Sequence, residues 1–220
     1  IELASQAGNI SVSVPQAGEV TLIVDLNDSF GWTCRVVSGS DEPVEVNQFV
    51  YLLGVDDNIN GSGAWTFDNY LRLYNEDDLA YAGVVNFDSK YGYGVYTEID
   101  NRADFYKLDA GTAASGTLLA KGETNLPAPT PGLYLVNVSL KKLTYALAGV
   151  GNNIYVSGLN DVWTFDTSLG ATGTVGVYQG NITITKASEF GFQIHLDTSW
   201  SHYYGGGDGK LVYAASNNNI

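Results

Sequence analysis

Apolar and polar residues alternate singly along much of the chain, in short runs cut off by Gly, Pro, Asn and Asp. The clearest runs are Glu19-Val20-Thr21-Leu22-Ile23-Val24-Asp25-Leu26, Leu133 to Leu140 and Gly180 to Thr185. A period of two puts successive side chains on opposite faces of a sheet, and turn residues at close spacing favour hairpins over helical crossovers. The pattern predicts an all-β chain. Asn69 to Leu79 is the best helical candidate, and its Tyr70, Leu71, Leu73 and Tyr74 suit a short helix and a wide loop about equally.

The alternation is itself repeated. Val50-Tyr51-Leu52-Leu53-Gly54-Val55-Asp56-Asp57 matches Ile154-Tyr155-Val156-Ser157-Gly158-Leu159-Asn160-Asp161, and a Trp-Thr-Phe-Asp string follows each, at Trp65 to Asp68 and Trp163 to Asp166. Ser89 to Tyr93 corresponds to Ser188 to Phe192, and Gly116 to Leu119 corresponds to Gly209 to Val212. The unit ends on Asn125-Leu126, a Pro-containing turn, Gly132, the strand Leu133 to Leu140 and Leu143-Thr144-Tyr145. The chain opens on the same ending, with Asn9-Ile10, Pro15, Gly18, the strand Glu19 to Leu26 and Trp32-Thr33-Cys34. Four parts are therefore expected. Residues 1–40 are the closing part of an incomplete module and 41–47 a linker in a stretch rich in Ser, Asp, Glu and Pro. Residues 48–149 are a complete β-sandwich, and 150–220 a second one whose C-terminal strands are missing.

Composition narrows the partners. With 24 Asp+Glu against 10 Lys+Arg the net charge is −14, so no basic groove for nucleic acid and no affinity for an anionic membrane surface are expected. Cys34 is the single cysteine, which excludes an internal disulfide and a cysteine-built metal site; its flanks suggest a buried free thiol. Neither an apolar run long enough to span a bilayer nor a basic leader is present, and a start at Ile1 suggests a mature fragment. Fifteen Tyr and four Trp among many Asn, Gly, Ser and Thr form a mixture suited to neutral sugars. The CH face of a pyranose stacks on an aromatic ring, and its hydroxyls pair with amides and carboxylates. The same composition also suits an acidic β-protein that uses Tyr and Thr as strand formers.

The residues Ile154-Tyr155-Val156-Ser157-Gly158 leading to Trp163, then Phe190-Gly191-Phe192, then Trp200 followed by Tyr204-Gly205, carry a resemblance, as do Gly132-Leu133-Tyr134 and Leu143-Thr144-Tyr145. The repeat resembles the carbohydrate-binding modules of SusE/SusF-type outer-membrane starch-binding lipoproteins of Bacteroidetes. That resemblance implies tandem immunoglobulin-like β-sandwiches on the outer face of the cell outer membrane, held by a lipid anchor upstream. Their role would be to hold starch or a related glucan for a neighbouring porin complex, without catalysis and without a cofactor. It also implies that the Trp after the first loop, Trp65 or Trp163, forms part of a sugar platform.

Trp200 is the strongest candidate residue, because its polar, Gly-rich loop offers a large aromatic no continuous apolar neighbourhood. Trp163 and Tyr204 are expected to flank it, and Asp161, Asn160 and His202 to supply hydrogen bonds to a sugar. In the complete repeat Arg102 or a neighbour stands in place of Trp200. Arg102 either donates to sugar hydroxyls, with Asp100 or Asp104 accepting, or forms an ordinary surface ion pair. Within each Trp-Thr-Phe-Asp string, one of the two aromatics is expected in the core. Asp56 to Gly61 has the front of a calcium loop, but Phe67 stands where the bidentate Glu belongs, so a solvated hairpin is favoured and no metal is expected. His195 and His202 lack partners at zinc or triad spacing. Two rival readings are a structural spacer with Trp200 buried, and a glycoside hydrolase with two acids facing across a cleft.

Overall fold

The computed structural model describes residues 2–3, 20–25, 32–38, 46–58, 65–206 and 211–214. The chain divides after Glu45 into two compact units. The first contains β1 (Glu2–Leu3), β2 (Val20–Asp25) and β3 (Trp32–Ser38) in an antiparallel sheet of order β1-β3-β2. The Cys34 side chain, residues 59–61 of the calcium-loop candidate and Gly207 to Gly209 of the Trp200 stretch lie outside the described residues.

The second unit begins with β4 (Phe49–Leu53), β5 (Tyr70–Asn75), β6 (Ala80–Phe87) and β7 (Gly94–Glu98). It continues with β8 (Asn101–Gly111), β9 (Ser115–Ala120), β10 (Gly132–Ser139) and β11 (Thr144–Gly149). These are antiparallel, and they close in the order β10-β11-β9-β8-β7-β4-β5-β6. The complete repeat is thus closed by its ladders into an eight-stranded barrel. Closure comes from the long β6–β10 ladder, Gly132↔Phe87 through Ser139↔Ala80, which leaves no free edge. Alternate residues fill the interior, among them Val50, Leu52, Leu71, Tyr81, Phe87, Val95, Leu118, Val136 and Tyr145. Each such side chain contributes roughly 1.5–3 kcal/mol on burial. The helical candidate Asn69 to Leu79 is a strand and a turn instead: Leu71 points into the core while β5 pairs with both β4 and β6. A helix there would leave those two ladders unmade.

The rest of the unit is a six-stranded sheet. Its strands are β12 (Asn153–Ser157), β13 (Thr167–Ala171), β14 (Tyr178–Gln179), β15 (Gln193–His195), β16 (Tyr203–Gly205) and β17 (Val212–Tyr213), with a 3₁₀ turn at Leu159–Asp161. Among the described residues there is no α-helix, and none long and apolar enough to cross a membrane. The sheet order β14-β13-β12-β15-β16-β17 repeats β6-β5-β4-β7-β8-β9 of the barrel. The registers repeat as well: Tyr155↔His195 follows Tyr51↔Tyr96, and His195↔Tyr203 follows Tyr96↔Phe105. In the first unit, Asp25↔Thr33 through Val20↔Ser38 reproduces Ser139↔Thr144 through Tyr134↔Gly149 of the barrel's closing hairpin.

The sheet has no described counterpart of β10 or β11, and two consequences follow. Gly180 to Thr185 reads as a strand by alternation, yet β14 stops at Gln179 and Ile184 is exposed. In the barrel the corresponding part of β6 is held by β10. At the other edge, Leu211 is 54% exposed where its barrel counterpart Leu118 is 2% exposed. The inner face of the sheet is covered from outside its own fold: Ile154 and Leu196, with Leu169, Ile194 and Tyr204, pack against Ala82, Leu135 and Ala148 of the barrel wall.

Candidate functional site

In β12 the side chain of Tyr155 faces away from the core side occupied by Ile154 and Val156, and the paired His195 shares its face. Phe165, from the Trp-Thr-Phe-Asp string, lies edge-on to both, 6.2 Å from Tyr155 and 5.0 Å from His195 between ring centroids. Trp200 rests on this pair. Its centroid is 4.8 Å from Phe165 at a 45° tilt and 4.9 Å from His195 at 86°, while the residue stays 51% exposed. One side of the indole is therefore supported by aromatic rings, and half its surface remains open to solvent.

The loop that carries Trp200 is closed by its own hydrogen bonds. Leu196 N–H donates to the His202 carbonyl at 2.9 Å, and Asp197 accepts from Ser199 N–H at 2.8 Å and from His202 Nδ1 at 2.6 Å. Ser201 N–H donates to Ser199 Oγ, and Tyr213 reaches the Ser201 carbonyl at 3.2 Å. Beneath the loop His195 is buried. Because the Ser199 carbonyl accepts from Nδ1 at 3.2 Å, Nε2 is the unprotonated nitrogen and accepts from Ser157 Oγ at 2.8 Å. Burial holds the His195 pKa below its ordinary 6.5, partly offset by the Ser199 carbonyl and the Asp197 charge. This serine–histidine pair has the composition of a nucleophile and its base, but both residues are 0% exposed, so it serves as a satisfied polar pair under the Trp200 indole.

Of the predicted flanking residues, Tyr204 faces the opposite side. On β16 the neighbours Tyr203 and Tyr204 alternate, so Tyr203 lies 5.8 Å from His195 on the Trp200 face. Tyr204 packs 5.5 Å from Tyr213 inside a cleft of about 360 Å³ lined also by Tyr70, Tyr74 and Val84. Burial, reinforced by Tyr213, pushes its hydroxyl up to about 12. Tyr203 therefore takes the place that the sequence assigned to Tyr204.

Asn160 and Asp161 sit in the 3₁₀ turn with positive φ. Asn160 donates to the Thr183 carbonyl at 2.9 Å and accepts from Thr185 and Lys186 N–H. Asp161 pairs with Lys186 at 2.7 Å and accepts from Glu189 N–H at 2.6 Å, contacts that in this order hold its pKa below the usual carboxylate value. Both side chains are committed to anchoring the 183–189 segment. Asp57 repeats one of these contacts in the barrel, accepting from Lys90 N–H at 2.6 Å. Among the described residues no cluster of three metal-ligating side chains occurs.

Trp163 and Trp65 each lie over a glycine. A Cβ on Gly158 would come within 2.9 Å of the Trp163 ring, and one on Gly54 within 2.8 Å of the Trp65 ring, at φ of +91 and +93. Both indoles are half-buried covers of a tight turn that only glycine makes without strain. The two strings are locked alike, Thr66 to Asp68 and Thr164 to Asp166 both at 2.7 Å.

On the barrel the same face carries Tyr51, Phe67, Tyr96 and Phe105, with Phe67 5.6 Å from Tyr51 and 6.0 Å from Tyr96. Arg102 replaces Trp200: its guanidinium lies 5.8 Å from the Phe67 centroid and donates to the Trp65 carbonyl. Of the two alternatives for Arg102, the surface ion pair is not formed: Asp104 pairs with Lys121 and, among the described residues, no carboxylate pairs with Arg102.

Residues 48–149, the span of the closed barrel, match a family described as a domain of unknown function (DUF8037). No curated protein and no solved structure matches the chain.

Proposed function

We propose that this chain is a non-catalytic binder of neutral polysaccharide, starch or a related glucan, and that Trp200 is the stacking platform. The observation that carries the reading is the half-exposed Trp200 indole, backed by Phe165 and His195 in a loop closed by internal hydrogen bonds. A rigid aromatic face loses little conformational entropy when a sugar ring settles on it. Tyr203 extends the face, and His202, held by Asp197, stands within the same loop as a hydrogen-bonding group. The repeat's resemblance to SusE/SusF-type modules supports the same reading, and the fuller picture belongs with it. In that picture the modules are tandem immunoglobulin-like carbohydrate-binding sandwiches, displayed at the cell outer membrane from a lipid anchor beside a porin complex.

Stacking contributes on the order of 1 kcal/mol per ring beyond area burial, so affinity is expected at about 10 µM to 1 mM and to rise with oligosaccharide length. Isothermal titration with maltoheptaose and other glucans, on wild type and Trp200→Ala, tests the proposal. Binding that is lost in the variant supports it; undiminished binding moves the site elsewhere, and silence across a glycan panel favours the spacer reading.

A further inference from the structure

The two modules present different chemistry at one structural position, and the difference is one of charge. Trp200 precedes by three residues the Tyr203 that pairs with His195, and Arg102 precedes by three residues the Phe105 that pairs with Tyr96. Both lie on the phenylalanine of the repeated string, Phe165 or Phe67. Arg102 is exposed and carries no described carboxylate partner, in a chain where acidic residues outnumber basic ones 24 to 10. A second cation, Lys107, lies 5.4 Å from the Phe105 ring on the same strand. The guanidinium spends one of its five N–H donors on the Trp65 carbonyl, which leaves a planar fork for an oxyanion.

We infer that the barrel face formed by Arg102, Lys107, Tyr51, Phe67 and Phe105, over the buried Tyr96, is a subsite for an acidic sugar, with Arg102 paired to the carboxylate of a uronic acid residue. The inference rests on the glycan-binding reading of the Trp200 face and extends it to the other module. A uronic acid has the two features that this surface addresses: an apolar ring face for the aromatic side chains, and a planar carboxylate for a forked donor. A sulfate ester offers a comparable charge without the planar match. Asp100 opposes the assignment locally, since its charge adds to burial in raising the Tyr51 hydroxyl. It lies in the turn between β7 and β8, two residues from Arg102.

The test is titration of the full chain with tetragalacturonate, with a neutral maltooligosaccharide of equal length and with a sulfated oligosaccharide. It uses wild type, Arg102→Gln, Asp100→Asn and Trp200→Ala. Tetragalacturonate should bind wild type, weaken with added salt, lose about tenfold or more in Arg102→Gln, and gain in Asp100→Asn. The glutamine keeps an amide donor for the Trp65 carbonyl, and an unchanged melting temperature confirms that the variant is folded. Maltooligosaccharide binding should be lost in Trp200→Ala and kept in Arg102→Gln, so failure at one face is read separately from failure at the other. No binding of tetragalacturonate, or equal binding by wild type and Arg102→Gln, overturns the inference; tighter binding of the sulfated ligand overturns the carboxylate assignment.

Discussion

Arg102 and Trp200 occupy the same position in two copies of one hairpin, each seated on the phenylalanine of a Trp-Thr-Phe-Asp string, at 5.8 and 4.8 Å. The supporting rings are already present in the barrel, where Phe67 is braced by Tyr51 and Tyr96. Arg102→Trp should therefore give the barrel a neutral-sugar platform without rebuilding its surroundings. The expected outcome is that the stoichiometry of maltooligosaccharide binding rises from about one toward two per chain, read by isothermal titration on the proposal above. Unchanged stoichiometry with an intact fold means that the ring alone does not make the site.

The Trp200 loop owes its shape to Asp197 more than to any contact that Trp200 makes. Its carboxylate takes both the Ser199 N–H and the His202 ring nitrogen, and the loop ends meet at Leu196 and His202. Asp197→Ala should loosen the indole and, on the proposed glycan-binding reading, weaken that binding several-fold while removing no group from the exposed ring face, because the ordering that is now built in would fall to the binding step. Tryptophan fluorescence anisotropy should fall in the same variant. Full affinity with a mobile indole would separate binding from preorganisation.

Acid should destabilise the second sheet through His195. Its folded pKa lies below the unfolded 6.5, chiefly because burial disfavours the imidazolium. In the interval between those two values the unfolded chain binds more protons, so stability is whole above about 6.5 and declines as pH falls through that interval. Melting temperatures at about pH 7.5 and 5.5 should differ in wild type, and His195→Gln should shrink the difference whatever its own stability. An equal difference in the variant would assign the acid sensitivity to the carboxylates.

The repeat and the all-β character are legible from Val50 to Asp57 against Ile154 to Asp161 and from the period-two runs, because local sequence decides which residues can pleat. Barrel closure is not legible, since whether β6 meets β10 is a matter of pairing between distant segments. The polar surroundings of Trp200 make its exposure legible, but Phe165, His195 and Tyr203 beneath and beside it are not legible from local sequence. Choosing Tyr203 over Tyr204 needs the face of β16, which a register shift of one residue inverts. The Ser157–His195 pair escaped for a similar reason: the two residues are 38 apart and meet only because β12 lies beside β15.

Leu118 and Leu211 are the sharpest measure of what the closing strands do. They hold equivalent places, as Lys107↔Leu119 and Gly205↔Val212 register β9 and β17 alike. Leu118 N–H donates to the Leu143 carbonyl ahead of β11, and the side chain is buried among Tyr145 and Val136 in the core cluster. Leu211 is 54% exposed beside the cleft that holds Tyr204 and Tyr213. Leu118→Ala should cost about 2–5 kcal/mol of stability, and Leu211→Ala no more than about 0.5 kcal/mol. Denaturant unfolding followed by far-ultraviolet circular dichroism measures both. The exposed β17 edge should also promote weak self-association at high concentration, which a charged substitution such as Val212→Lys should suppress in sedimentation velocity. A large loss in Leu211→Ala, without any concentration dependence, would show that this edge is covered in solution by the chain itself.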